Sequence, residues 1–183
     1  MPENYANRRG SDAEDSDEDL FAELEAEIEN ADNAAVRERG MEQLRKEMEE
    51  MKKLRETGHG RYDEIQDEKL VLQTTVNEHL CVVHFYHSKF RRCKIVDKHL
   101  TKLASKYFRT RFVKVFVENA PFLVTKLGVK VLPAVFMFVD GISKDRLVGF
   151  EELGNVDDFA TSVLEARLMR AGMFTPQKPF SLC

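Results

Sequence analysis

No stretch of 18 apolar residues occurs anywhere in this 183-residue chain, which excludes a membrane-spanning helix on length alone. Cysteine is scarce. Cys81, Cys93 and Cys183 form an odd set whose spacings match neither a disulfide framework nor a zinc site. The expected setting is therefore reducing: the cytoplasm, with the nucleus as the other reducing compartment. The opening residues, Met1-Pro2-Glu3-Asn4-Tyr5, are polar and soon acidic, and fit neither a secretory signal nor an Arg-rich transit peptide. There is no glycine-rich phosphate loop and no Ser/His/Asp set. His84, His87, His99 and Cys93 follow no common zinc spacing, so no metal or other cofactor is expected. Glu151/Glu152 and Asp157/Asp158 read as cap and surface charges rather than an acid/base pair.

The charge that is present is polarised. Residues 1–33 hold twelve Asp/Glu against two Arg, while the remainder holds 26 Lys/Arg against 20 Asp/Glu. Phosphates would repel so acidic an arm, which argues against nucleic acid as its partner. A solubilising or docking arm suits the composition, as does a solvated tail with no specific partner.

Five segments follow from composition and periodicity. Residues 1–18 have almost nothing to bury and predict a disordered acidic tail. Residues 19–57 contain no proline and a single glycine, Gly40, and predict charged amphipathic helices interrupted near Asn30–Ala35. Leu20, Leu24 and Ile28 line the first helix; Met41, Leu44, Met48, Met51 and Leu54 line the second. Such a stripe either folds back on the body, pairs as a coiled coil, or is offered to a partner's groove. Its methionines favour the last, being flexible and polarisable.

Gly58-His59-Gly60 then breaks the helix, with Gly58 placed to cap it, and residues 58–66 read as linker and first edge strand. From 67 to 170 short strands alternate with helices, the pattern of an α/β domain. Asp67–Val76 predicts a helix with Leu70 and Val71 inward. Leu80–Tyr86 is a nearly unbroken apolar run, as in a central strand covered on both faces. A helix from Phe90/Arg91 to Tyr107, a strand over Arg111–Val117 and a short helix started by Pro121 come next, with Phe122 expected in the core. Ala134–Val139 and Ser143–Phe150 flank the Asp140-Gly141 turn as a hairpin. Asn155 is a candidate cap for a last helix with Phe159, Val163, Leu164 and Leu168 inward. Residues 171–183 predict a loose tail.

The most informative stretch is Phe85-Tyr86-His87-Ser88-Lys89-Phe90-Arg91-Arg92-Cys93-Lys94, which closes the apolar strand and opens a helix. With Leu132-Pro133, Asp140-Gly141 and Gly149 it resembles a thioredoxin-like fold: a mixed sheet flanked by helices, here with an N-terminal helical extension. The resemblance implies a cis Pro133 facing the turn. Redox chemistry on that fold needs an exposed first sulfur at the helix N-terminus and a second three residues on. Cys93 holds the second position; Phe90 holds the first. Lys89 stands in place of the usual tryptophan and His84 in place of a buried aspartate. Phe90, Arg91, Arg92, Cys93 and Pro133 thus form a degenerate redox turn, and no catalytic residue is expected. Two readings of Cys93 stay open: a thiol activated by Arg91, Arg92 and the helix start, or a half-buried structural remnant. Cys81 reads as a small core residue.

Further words agree in order: Gly58-His59-Gly60, His84-Phe85-Tyr86, Cys93 to His99, Ala120-Pro121-Phe122-Leu123, Val148-Gly149-Phe150, Leu153-Gly154 and Asp157-Asp158-Phe159. Together they resemble the phosducin-like proteins, third group. This implies a co-chaperone, not an enzyme, that binds the cytosolic chaperonin CCT (TRiC) and modulates folding of clients such as tubulin and actin. The alternatives are a single-thiol oxidoreductase acting through Cys93, and a phosducin-like adaptor for a G-protein β-propeller.

Overall fold

The computed structural model describes residues 32–174. They divide into two units, one ending at Met51 and one beginning at Lys52. The acidic segment 1–18 and the expected helix bearing Leu20, Leu24 and Ile28 lie outside the described residues.

Helix α1 (Asp32–Glu56) begins in the first unit and ends in the second. It has no proline to break it, and Glu42 and Lys46, one turn apart, form an ion pair at 2.8 Å. Met41, Leu44, Met48 and Met51 are exposed, and Leu54 is half-buried. The helix ends in a paired-carbonyl motif. Gly58 takes φ +91°, its N–H bonds the Arg55 carbonyl at 3.1 Å, and the His59 N–H bonds the Leu54 carbonyl at 2.9 Å.

The second unit runs β1 (Tyr62–Glu64), α2 (Glu68–Asn77), β2 (Leu80–Tyr86), α3 (Arg91–Lys106), β3 (Arg111–Phe116), α4 (Pro121–Leu127), β4 (Ala134–Val139), β5 (Ile142–Val148) and α5 (Thr161–Arg170). Two one-turn 3-10 segments, Val117–Asn119 and Glu151–Leu153, complete the order. The sheet order is β1-β3-β2-β4-β5. Strands β1, β3 and β2 are parallel; β4 is antiparallel to both β2 and β5. This is the mixed sheet with flanking helices that the sequence predicts.

Strand β2 is buried along nearly its whole length because both faces are covered. Val82, Phe112, Met137 and Leu147 pack on one face with Leu100 and Leu103 of α3 and Leu164 and Leu168 of α5. Cys81, Val83, Phe85 and Phe136 face the other side, with Val71 of α2 and Leu123 of α4. Asp140 and Gly141, at φ 50° and 78°, make the two-residue hairpin turn joining β4 to β5.

Several expectations are corrected. Leu70, Phe122 and Val163 are exposed, at 49%, 57% and 38%. Asn155 caps no helix. It sits at φ 55° with its N–H on the Phe150 carbonyl, and α5 begins only at Thr161, preceded by Ala160 without a side-chain cap. The end of the domain is not loose through Phe174. Met173 and Phe174 are buried, and Phe174 stacks on Tyr107 with ring centroids 3.6 Å apart. Residues 175–183 lie outside the described chain.

Candidate functional site

The turn between β2 and α3 is held by its own aromatic and polar groups. The Lys89 N–H donates to His87 Nδ1 at 3.1 Å. The ring's remaining proton therefore belongs on Nε2, 3.4 Å from Glu118 Oε1. Phe90 meets the His87 ring edge-on at 5.6 Å and occupies the residue before α3, 51% exposed and making no side-chain cap bond. Where a disulfide-exchanging turn presents a sulfur to solvent, this one presents a phenyl ring.

Cys93 lies in the first turn of α3 and is 1% exposed. Burial pushes its thiol above the ordinary value, and the charge of Asp97, one helical turn on, pushes the same way; main-chain hydrogen bonds at His87 and Cys93 only partly oppose this. That is opposite in direction to an activated thiolate. Cys81 is a poor second thiol. It belongs to the core on one face of β2, whereas α3 covers the other. Both cysteines are free.

Arg92 is tied down internally. Its Nε donates to Asp157 at 2.8 Å, its Nη1 donates to Asn155 at 3.2 Å, and its guanidinium lies over the Phe150 ring at 4.8 Å. Arg91 beside it is exposed. Pro133 follows a cis Leu132–Pro133 bond and is buried. Because Phe85 pairs with Ala134, Pro133 sits at the end of the sheet from which the Tyr86–Phe90 segment leaves. Phe90, Arg92, Cys93 and Pro133 are thus gathered at one pole of the domain. The stripe Met41, Leu44, Met48 and Met51 lies on α1 in the other unit.

Beneath this turn lies a polar cluster that sequence reasoning found only in part. Tyr62 of β1 donates its hydroxyl proton to Asp97 Oδ1 at 2.7 Å. His84 Nδ1 lies 2.7 Å from the Tyr62 oxygen and 3.0 Å from Asp97 Oδ1. Since Tyr62 has spent its proton, Nδ1 is the protonated nitrogen and Nε2 a bare lone pair, buried without a partner. Burial lowers the His84 pKa, against the pull of Asp97, and Lys114 lowers it further. Burial alone would raise Asp97. The hydrogen bonds from His84 and Tyr62, then the charges of His84 and Lys114, hold it below its ordinary value. Lys114 Nζ stands 3.3 Å from Asp97 Oδ2. Asp97 falls within the Cys93 to His99 stretch of the sequence, which carries no sign that it meets His84. Tyr62 and Lys114 gave none, because they arrive from other strands.

No cluster of three or more metal-ligating side chains occurs among the described residues. The groups at this pole can hold a surface and a proton, but they present no exposed sulfur.

A thioredoxin family model matches residues 64–162. Phosducin-like protein 3 of Dictyostelium discoideum is 39% identical over 94% of this chain and 86% of its own length. The chain belongs to the phosducin-like proteins. It is also 42% identical to thioredoxin domain-containing protein plp1 of Schizosaccharomyces pombe, over 87% of the chain but 57% of that relative. Against two Arabidopsis thaliana relatives, PLP3B and PLP3A, it spans 66% and 65% of their lengths. Among solved structures, a Halobacterium salinarum thioredoxin mutant aligns with TM-score 0.53 and 17% identity, covering 64% of this chain and 96% of that one. That likeness speaks for the fold of a phosducin-like chain and for nothing beyond it.

Proposed function

We propose that this phosducin-like chain is a co-chaperone that binds the cytosolic chaperonin CCT (TRiC) and modulates folding of clients such as tubulin and actin, working by holding rather than by exchanging electrons. One observation carries the reading. The residue at the helix start is Phe90, half in solvent, while the sulfur of Cys93 is buried with its thiol pushed up. A thioredoxin-like scaffold so altered offers surface, not an attacking thiolate. Family membership supports the choice of partner, since the phosducin-like resemblance implies a chaperonin co-factor.

The contact surface we assign is the stripe Met41, Leu44, Met48 and Met51, with Leu54 at its end. Spacings of three, four and three put these four side chains on one face of α1, and all four are exposed. The face spans about two heptads, too short for a coiled coil of its own. Methionine and leucine on a charged helix suit a partner's apolar groove.

A pull-down with purified chaperonin tests this. Leu44→Asp with Met48→Asp is expected to weaken binding roughly 100-fold or more, since burying each apolar side chain stabilises by about 1.5–3 kcal/mol. Undiminished binding by that double variant would remove the stripe from the account. Capture of a G-protein β-propeller in place of the chaperonin would replace the partner.

A further inference from the structure

We propose that the outer face of α3 is a docking strip for an acidic polypeptide segment, held by Arg91, Lys94, Lys98 and Lys102. Steps of three, four and four residues set these side chains on a strip about 80° wide and about 16 Å long. All four are exposed. The other exposed residues of the helix are Thr101, Ser105 and Lys106, so no carboxylate interrupts the strip.

The acids bonded to α3 or carried on it are already engaged. Asp97 accepts from Tyr62 and stands 3.3 Å from Lys114. Asp157 accepts from Arg92 at 2.8 Å, and Glu165 pairs with Lys106. Among the described residues Arg91, Lys94, Lys98 and Lys102 form no ion pair. The placement is also unfavourable for the helix itself, whose N-terminal end is already positive. Arg91, Arg92 and Lys94 fall within its first four positions, with no acid in the first turn and no side-chain cap at Phe90. Only Arg92 is neutralised from within the fold. Cations that oppose the helix and gain no internal partner mark a face completed from outside.

The chemistry of the strip selects its occupant. Exposed ammonium–carboxylate pairs are individually weak, so binding needs several at once and is screened by salt. An extended segment rises about 3.3 Å per residue, so about five residues cover the strip. Nucleic acid fits less well: no aromatic side chain lies along the strip to stack a base, and the acidic residues 1–33 repel phosphates. A lipid surface fits less well too. It requires an apolar face to insert, and Val96, Leu100 and Leu103 of α3 are buried in the core. The strip is independent of whichever partner takes the α1 stripe.

The test titrates an N-acetylated octaglutamate peptide into the full chain at about 50 mM and about 300 mM salt, following backbone amide NMR shifts. The shifts should concentrate in α3, and affinity should fall at the higher salt. Lys94→Glu with Lys98→Glu should weaken binding about tenfold or more. Lys126→Glu with Lys144→Glu changes the net charge equally on α4 and β5, and should leave the affinity within about twofold. Unmoved α3 amides, salt-independent binding, or equal weakening by both double variants would overturn the strip. Equal or tighter binding of an oligothymidylate or of phosphatidylserine vesicles, lost in Lys94→Glu with Lys98→Glu, would overturn the acidic polypeptide as its occupant.

Discussion

Tyr62 gives its hydroxyl proton to Asp97, and by doing so decides which nitrogen of His84 carries one. A strand at the sheet edge, a central strand and a helix are joined through three side chains that no pairwise sequence spacing connects. Tyr62→Phe removes the donor and leaves the carboxylate and the ring short of a partner. The expected loss is about 1–3 kcal/mol in urea unfolding at pH 7. An unchanged midpoint would mean that the cluster is ornamental to stability.

His84 adds a pH dependence of known sign. Its folded pKa is depressed by burial from the ordinary 6.5, so its stability contribution is complete above 6.5 and declines as pH falls below it. Unfolding free energy should drop between pH 7.5 and 5.5, with each fully linked histidine contributing up to about 1.4 kcal/mol per pH unit. In His84→Gln the slope should flatten. The same slope in both proteins would show that His84 does not titrate on unfolding.

Gly58 is required twice over. Its φ of +91° lies in the left-handed region, and a methyl group there would stand 2.6 Å from Arg111 Nη2. Gly58→Ala should cost about 1–2 kcal/mol from the backbone alone, with displacement of the guanidinium adding to it. Thermal unfolding at pH 7.5 reads the loss. A variant as stable as the unmodified chain would contradict the tight packing of Arg111 on this turn.

Much of the fold was legible because local signals agreed with one another: an apolar run for β2, Asp140-Gly141 for the hairpin, Gly58 past a helix end, Pro121 at a helix start. What failed shares one physical cause. Periodicity says that a helix has an apolar face, but Leu70, Phe122 and Val163 show that it does not say how far the neighbouring layer extends. Met173 and Phe174 were missed because a pattern-free segment gains its order from what it packs against, here Tyr107. The placing of Phe90, Arg91, Arg92 and Cys93 at the start of α3 was readable because those four are consecutive. The Tyr62–His84–Asp97–Lys114 cluster was not, since it is assembled across β1, β2, α3 and β3. The sequence places Arg92 at a helix start and gives no sign of what holds it there. Its partners Asn155 and Asp157 lie more than sixty residues away and come close only through the fold.

If the scaffold is intact and the chemistry is missing one sulfur, that sulfur can be restored. Phe90→Cys places a thiol in a half-exposed position before α3, three residues from Cys93, at little cost in stability. On mild oxidation the variant should lose two titratable thiols, measured against an unmodified chain that loses none at this pole. A variant that keeps both thiols would show that the turn no longer has thioredoxin geometry.

The central claim is tested most directly by insulin disulfide reduction with dithiothreitol as electron source and the purified chain as the only added protein. The account predicts a rate equal to the dithiothreitol background and unchanged by Cys93→Ser. A rate clearly above background that Cys93→Ser abolishes would contradict it.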